Sequence, residues 1–134
     1  MFWSLIGGPF EGRYRNASVV HDVACDARTQ PSDEVHRMFY FACRCGGVEE
    51  AKAKAMYFAV LHYGPQWKTV EEVKMLDGHP ITVSKAINFV ESRALSKDDA
   101  KAVLKYMETS NPDLPAIAAL HVEGGQVEIA APPE

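Results

Sequence analysis

Cysteine is scarce in this 134-residue chain, with three in all, an odd number that excludes a disulfide-stapled scaffold as the organising principle. Cys43 and Cys45 stand two apart on a segment of helical periodicity, where such residues face different sides and do not bridge. Reduced thiols are expected, and Cys-Arg-Cys departs from the paired Cys-x-x-Cys or His-x-x-x-His spacing of structural zinc sites. Long apolar runs are also lacking. The longest, Ala55 to Leu61, is about a third of a membrane span, which excludes a transmembrane helix. The opening Met1-Phe2-Trp3-Ser4-Leu5-Ile6-Gly7-Gly8-Pro9 has neither the basic start nor the uninterrupted apolar core of a secretory signal, so a cytoplasmic location as synthesised is expected. There is no surplus of base: 14 Lys and Arg, scattered along the chain, stand against 18 Asp and Glu. That distribution has no electrostatic footprint for nucleic acid.

What is present is uneven. With 47% hydrophobic residues the chain is long enough to bury a core as one domain. Residues 1–67 hold 11 of the 13 aromatics, all three Cys and five of the six Arg, with seven acids against seven bases. Residues 68–134 hold eleven acids against seven bases and carry the whole net charge of −4. The first part reads as an aromatic-rich body carrying any site, and the second as an acidic, mostly helical extension available to a protein partner.

Periodicity predicts a mainly α fold, a compact bundle of short helices with one or two small β-hairpins. An antiparallel pair at about 13–26 and 32–45 stands at its centre. In the first helix Ala17, Val20, His21, Ala24 and Cys25 share a face. In the second, Ser32 is the expected N-cap, Asp33 and Glu34 suit the positive end, Val35, Met38, Phe39, Ala42 and Cys43 face inward, and Gly46-Gly47 stops it. A third helix is expected over 48–63. Beyond Trp67, Thr69 and Glu72 predict a short helix, with a hairpin over 73–83 about Asp77-Gly78 as the alternative. Helices are expected at 84–93, after Ser96, and at 114–120, with a terminal hairpin about Gly124-Gly125. The aromatics Phe39, Tyr40, Phe41, Tyr57, Phe58, Tyr63 and Trp67 are expected in the core because their spacing is helical.

The residues that carry chemistry follow from the central pair. Counting outward from its break brings His21 and Asp22 level with His36 and Arg37, with Asp33 one turn nearer the break and within side-chain reach of His21. A carboxylate on one imidazole nitrogen fixes the tautomer and leaves the other as a general base, so His21, Asp33 and His36 are the candidate catalytic residues. Asp22 points to a neighbouring volume, where it and the backbone carbonyls of Gly7 and Gly8 are candidate ligands of a divalent cation. The competing reading is that the histidine is structural, hydrogen-bonded within the core.

Three stretches in order, Phe2-Trp3-Ser4-Leu5-Ile6-Gly7-Gly8-Pro9-Phe10, Ala17-Ser18-Val19-Val20-His21-Asp22, and Ser32-Asp33-Glu34-Val35-His36-Arg37-Met38-Phe39-Tyr40, resemble family 1353 of the domains of unknown function over residues 2–67. That family is scattered through phage and bacterial genomes. The resemblance therefore implies a phage or prophage protein, made in the host cytoplasm if phage-encoded or associated with the virion, and of unassigned activity. Members usually carry an extended Asp-Gly-Ala-Ser-Ile-Pro stretch ahead of the aromatic residues, and with Met1-Phe2-Trp3 at the start of this sequence that stretch is expected to be absent. A site residue supplied by that stretch in relatives is expected to be lost or replaced here. A looser, local resemblance is to phospholipase A2, in which a glycine loop, a His-Asp helix and an antiparallel helix with a second Asp form the site. It implies a small acyl hydrolase with His21 as base, Asp33 orienting it, and Asp22 with the glycine loop holding calcium. Cys25 and Cys43, near opposite ends of the helix pair, are placed against the disulfide those enzymes use. The two functions carried forward are a non-catalytic accessory domain with a structural His-Asp helix pair and this hydrolase.

Overall fold

The computed structural model describes residues 15–129. Three helices come first, α1 (Arg15–Ala27), α2 (Ser32–Cys45) and α3 (Glu50–Tyr63). A long hairpin of β1 (Gln66–Leu76) and β2 (His79–Val90) follows, then α4 (Lys97–Ser110), the single turn α5 (Leu114–Ala118), and a short hairpin of β3 (Leu120–Glu123) and β4 (Gln126–Ile129). The fold is mainly α with two separate two-stranded antiparallel sheets.

The helix bounds follow local chemistry. Asp33 and Glu34 occupy the first turn of α2, and Gly46-Gly47 closes it, with Gly47 at φ 89°. Ser96 accepts the Asp99 N–H at 3.1 Å and caps α4, and Asn111 in the left-handed region (φ 42°) ends it. Ser32 departs from expectation. It is the first residue of α2, after Pro31 at the cap, and its hydroxyl goes elsewhere: it donates to the Trp67 carbonyl (3.0 Å) and accepts from the Trp67 N–H (3.1 Å).

The helices expected at 69–72 and 84–93 are replaced by the hairpin, the alternative considered for 73–83, here extended to Gln66–Val90. Two local causes act together. Asp77 and Gly78 both adopt positive φ (51° and 78°), the two-residue turn that matches strand twist. Val70, Val73, Ile81, Thr82, Val83 and Ile87 are β-branched and disfavour helix. The register runs from Leu76 opposite His79 to Gln66 opposite Val90, with an irregularity beside Trp67 where Asn88 turns to φ 56°. Phe89 thereby stacks on Trp67, ring centroids 6.5 Å apart.

One hydrophobic cluster joins both parts of the chain. Phe39, Met56 and Phe58 belong to it together with Leu95, Val103, Met107, Ile117 and Leu120. The residues of α3 from Ala53 to Val60 are buried all round, Lys54 included. The Lys54 ammonium is held by Asn111 Oδ1 at 2.7 Å and Glu50 at 3.0 Å, which ties α3 to the end of α4. The aromatics are largely core as expected, with Phe39, Tyr40, Tyr57, Phe58 and Trp67 buried, whereas Phe41 is exposed. On α1 the buried residues are Ala17, Ser18 and His21, and Val20 faces solvent, a rotation of the expected face.

A buried histidine pair with a neighbouring thiol

α1 and α2 pack together across the break at Arg28–Pro31, and their facing turns bring His21 against His36. His21 Nε2 lies 2.8 Å from His36 Nδ1, and His36 Nε2 lies 2.8 Å from the Pro65 carbonyl oxygen. A carbonyl only accepts, so His36 carries its proton on Nε2, and the His21 Nε2–H donates to the lone pair on His36 Nδ1. Pro65 stands between α3 and β1, so one hydrogen-bonded chain runs from α1 through α2 to that connection. Phe39 packs beside His21 (centroids 4.7 Å), and Trp67 sets its edge to His36 (6.2 Å). Trp67 is itself anchored, its indole N–H donating to the Gln30 carbonyl at 2.8 Å in addition to the Ser32 bonds.

Both rings are out of water, His36 at 0% and His21 at 4% exposure. Burial, then the neighbouring His36 ring, lowers the His21 pKa to about 3. Burial also lowers that of His36, offset in part by the hydrogen bond to Pro65 and by Asp33. One turn beyond His21, the half-buried thiol of Cys25 lies 3.6 Å from His21 Nε2 and 3.9 Å from its Nδ1. Burial, then Asp22 and Asp26, pushes its pKa up to about 11, against the opposing pull of Arg28. His21, Cys25 and His36 each place a ligand atom within 4.8 Å of the others. Cys43 and Cys45 are also free thiols, the first buried in the core and the second exposed.

A cavity of about 450 Å³ adjoins this cluster, with Cys25, Pro65, Asp26, Arg28, Phe89 and Glu91 in its wall. Arg28, at φ 51°, donates from Nε to the Cys25 carbonyl at 3.0 Å and lays its guanidinium 3.7 Å over the Phe89 ring.

The predicted site residues separate into two groups. His21 and His36 meet, as counting from the break requires. Asp33 lies in the wall of a different cavity, about 210 Å³, with Arg37, Tyr57 and Leu114, and acts on His36 only as a nearby charge. Asp22 is largely exposed, and its carboxyl pKa is raised by its residual burial and then by Asp26. Gly7 and Gly8 lie outside the described residues. Cys25 and Pro65 escaped the sequence reading. The first was legible, since it stands four residues from His21 on the face that the periodicity defined, whereas a backbone carbonyl has no signal of its own. His62 likewise finds its partner in a backbone carbonyl: its Nε2 donates to the Ile117 oxygen at 3.0 Å, and its ring packs on Phe58.

Fold and site together define a mainly helical chain with a cluster of two buried histidines and a half-buried cysteine between its first two helices. Residues 1–60 match the family described as "Protein of unknown function (DUF1353)", the family that the three motifs resemble. An uncharacterized protein of Sinorhizobium fredii (strain NBRC 101917 / NGR234), y4jT, is 51% identical over 77 residues, which are 54% of this chain and 23% of the relative. A second from the same organism, y4iH, is 40% identical over 62 residues, 46% of this chain and 26% of the relative. The chain thus spans about a quarter of the length of these curated relatives. No solved structure matches. None of the described helices is long and apolar enough to cross a membrane.

Proposed function

We propose that this chain is a non-catalytic accessory domain, a bundle centred on the α1–α2 pair, in which His21 and His36 form a structural clasp. The observation that carries the reading is His36, fully buried with both ring nitrogens engaged, one by His21 and the other by Pro65. A side chain so placed joins three segments and has no nitrogen left for a substrate. The hydrolase alternative, on the phospholipase A2 pattern, needs His21 as a base working near neutral pH, oriented by Asp33, with calcium on Asp22. A histidine held at about 3 is a weak base, and Asp33 in another cavity wall leaves the orienting position to a second imidazole.

The origin assigned here, phage or prophage, with synthesis in the host cytoplasm or association with the virion, rests on the family resemblance. A protein partner on residues 68–134 is part of the same reading. What supports it is the β1–β2 hairpin, whose Val73, Met75 and Leu76 are 68%, 67% and 59% exposed. The test is His21→Ala and His36→Ala, followed by urea unfolding and by turnover of short- and long-chain acyl esters with calcium present. Loss of stability without any wild-type turnover to lose is expected. Calcium-dependent turnover by the wild-type chain that a folded His21→Ala variant lacks would transfer the assignment to the hydrolase.

A further inference from the structure

The clasp explains the histidines but leaves Cys25 without a use. His21 and Cys25 are four residues apart on α1, so both side chains leave the same face one turn apart, and His36 enters from α2. We propose that His21 Nε2, Cys25 Sγ and His36 Nδ1 form a binding site for a zinc-class divalent transition metal. This inference rests on the reading of the cluster as the organising site of the domain.

The distances carry it. In a tetrahedral site with nitrogen at about 2.0–2.1 Å and sulfur at about 2.3 Å from zinc, a nitrogen and a sulfur ligand stand about 3.6 Å apart and two nitrogens about 3.3 Å. Cys25 Sγ already stands 3.6 Å from His21 Nε2. The histidine nitrogens, at 2.8 Å, need to part by about half an ångström, and all three ligand atoms already lie within 4.8 Å of one another, so the ion closes the triangle by shifts of an ångström or so. The supporting shell is in place too. His36 donates its other N–H to the Pro65 carbonyl, the usual way in which a metal-binding imidazole is fixed in tautomer and orientation. The donor set of two imidazoles and a thiolate suits zinc or cobalt, not the oxygen-seeking calcium.

Three protein ligands leave one position of a tetrahedron open. Cys25 and Pro65 both border the 450 Å³ cavity, so a water or a small anion reaches that position from there. Binding displaces one proton, from the Cys25 thiol. His21 stays neutral by changing tautomer: its proton passes from Nε2 to Nδ1, which frees the Nε2 lone pair for the metal. The clasp is then the metal-free form of the site, in which a shared hydrogen bond replaces the ion between the two rings.

Cobalt(II) is the probe, added to the chelator-treated full chain and followed by its absorption spectrum. The expected result is one cobalt per chain, with the intense visible bands of a tetrahedral ion and a thiolate-to-cobalt charge-transfer band, both displaced by zinc. Cys25→Ser abolishes the charge-transfer band, and Cys45→Ser, at the exposed thiol, keeps it. Should Cys25→Ser not fold by circular dichroism, the Cys45→Ser chain serves instead: zinc is expected to slow modification of Cys25 by a thiol reagent at least tenfold. A folded wild-type chain without a charge-transfer band at saturating cobalt overturns the site, as does a band that survives in folded Cys25→Ser. So does a Cys25 modification rate that zinc leaves unchanged. Failure of the clasp is separate, since it is read from the stability of metal-free His36→Ala. A chain destabilised by that change but blind to cobalt keeps the clasp and loses the metal.

Discussion

Replacing His36 by alanine is the sharpest perturbation of the hydrogen-bonded chain through Pro65. Two 2.8 Å hydrogen bonds are lost. The Pro65 carbonyl loses its imidazole donor, although Pro65 itself borders a cavity. The His21 Nε2–H, in a site 4% exposed, exchanges an imidazole acceptor at 2.8 Å for a weak sulfur acceptor at 3.6 Å, and a poorly satisfied buried donor costs about 1–3 kcal/mol. Removing a ring from a fully buried position adds a cavity, so the total comes to about 3–4 kcal/mol. That is a large part of the roughly 5–15 kcal/mol that holds a domain of this size together. In urea, with chelator present and circular dichroism as the signal, the midpoint is expected to fall by about 1–2 M at unchanged slope. His21→Ala leaves the His36 Nδ1 acceptor unpaired instead. The double variant leaves neither, and is expected to cost about 1–2 kcal/mol less than the sum of the two. A His36→Ala cost below about 1 kcal/mol, together with additive singles, would refute the clasp.

The remaining predictions address the supports of the site. His21, His36 and His62 all have lowered pKa values in the folded chain because burial disfavours the charged ring. The unfolded chain therefore takes up protons first as pH falls. Stability of the metal-free chain is expected to be complete above about pH 6.5 and to decline as pH falls toward about 3, the folded value for His21; a melting temperature that rises from pH 7 to 5 contradicts this. Ser32→Ala removes both hydrogen bonds to the Trp67 backbone and is expected to cost about 1–3 kcal/mol with a red shift of tryptophan fluorescence, and an unchanged spectrum and midpoint would count against the tie. At Gly64 an added Cβ would clash with the Val60 carbonyl oxygen, so Gly64→Ala is expected to displace the α3–β1 connection at about 1–3 kcal/mol, read by thermal melting. Leu76→Asp and Met75→Glu, at exposed positions beside the hairpin turn, are expected to leave the melting temperature within about 2 °C while abolishing any protein association carried by this hairpin; unchanged association in light scattering would exclude that surface.

Much of this fold is written in short-range pattern. The bounds of α2 and α4 follow from acids at the first turn, the Ser96 cap, Gly46-Gly47 and Asn111, all within a few residues of the backbone groups they satisfy. The meeting of His21 with His36 was legible because a short break forces two helices back on each other, and counting then aligns their turns. The hairpin was legible only as an alternative. Thr69 and Glu72 carry a helix signal, and the strand outcome depends on pairing Gln66–Leu76 with His79–Val90, a choice that propensity within one segment does not make.

By itself, then, the sequence determined the helix pair, its break and the His21–His36 alignment. Only the tertiary structure decided what surrounds the pair. It replaced Asp33 by a second imidazole, brought the Pro65 carbonyl from 29 residues away to His36, and turned Cys25 to the same point. The physical reason is that periodicity specifies which face of a helix is buried. The atom that meets a buried nitrogen there is chosen by packing between segments distant in the chain, where every buried polar group must find a partner.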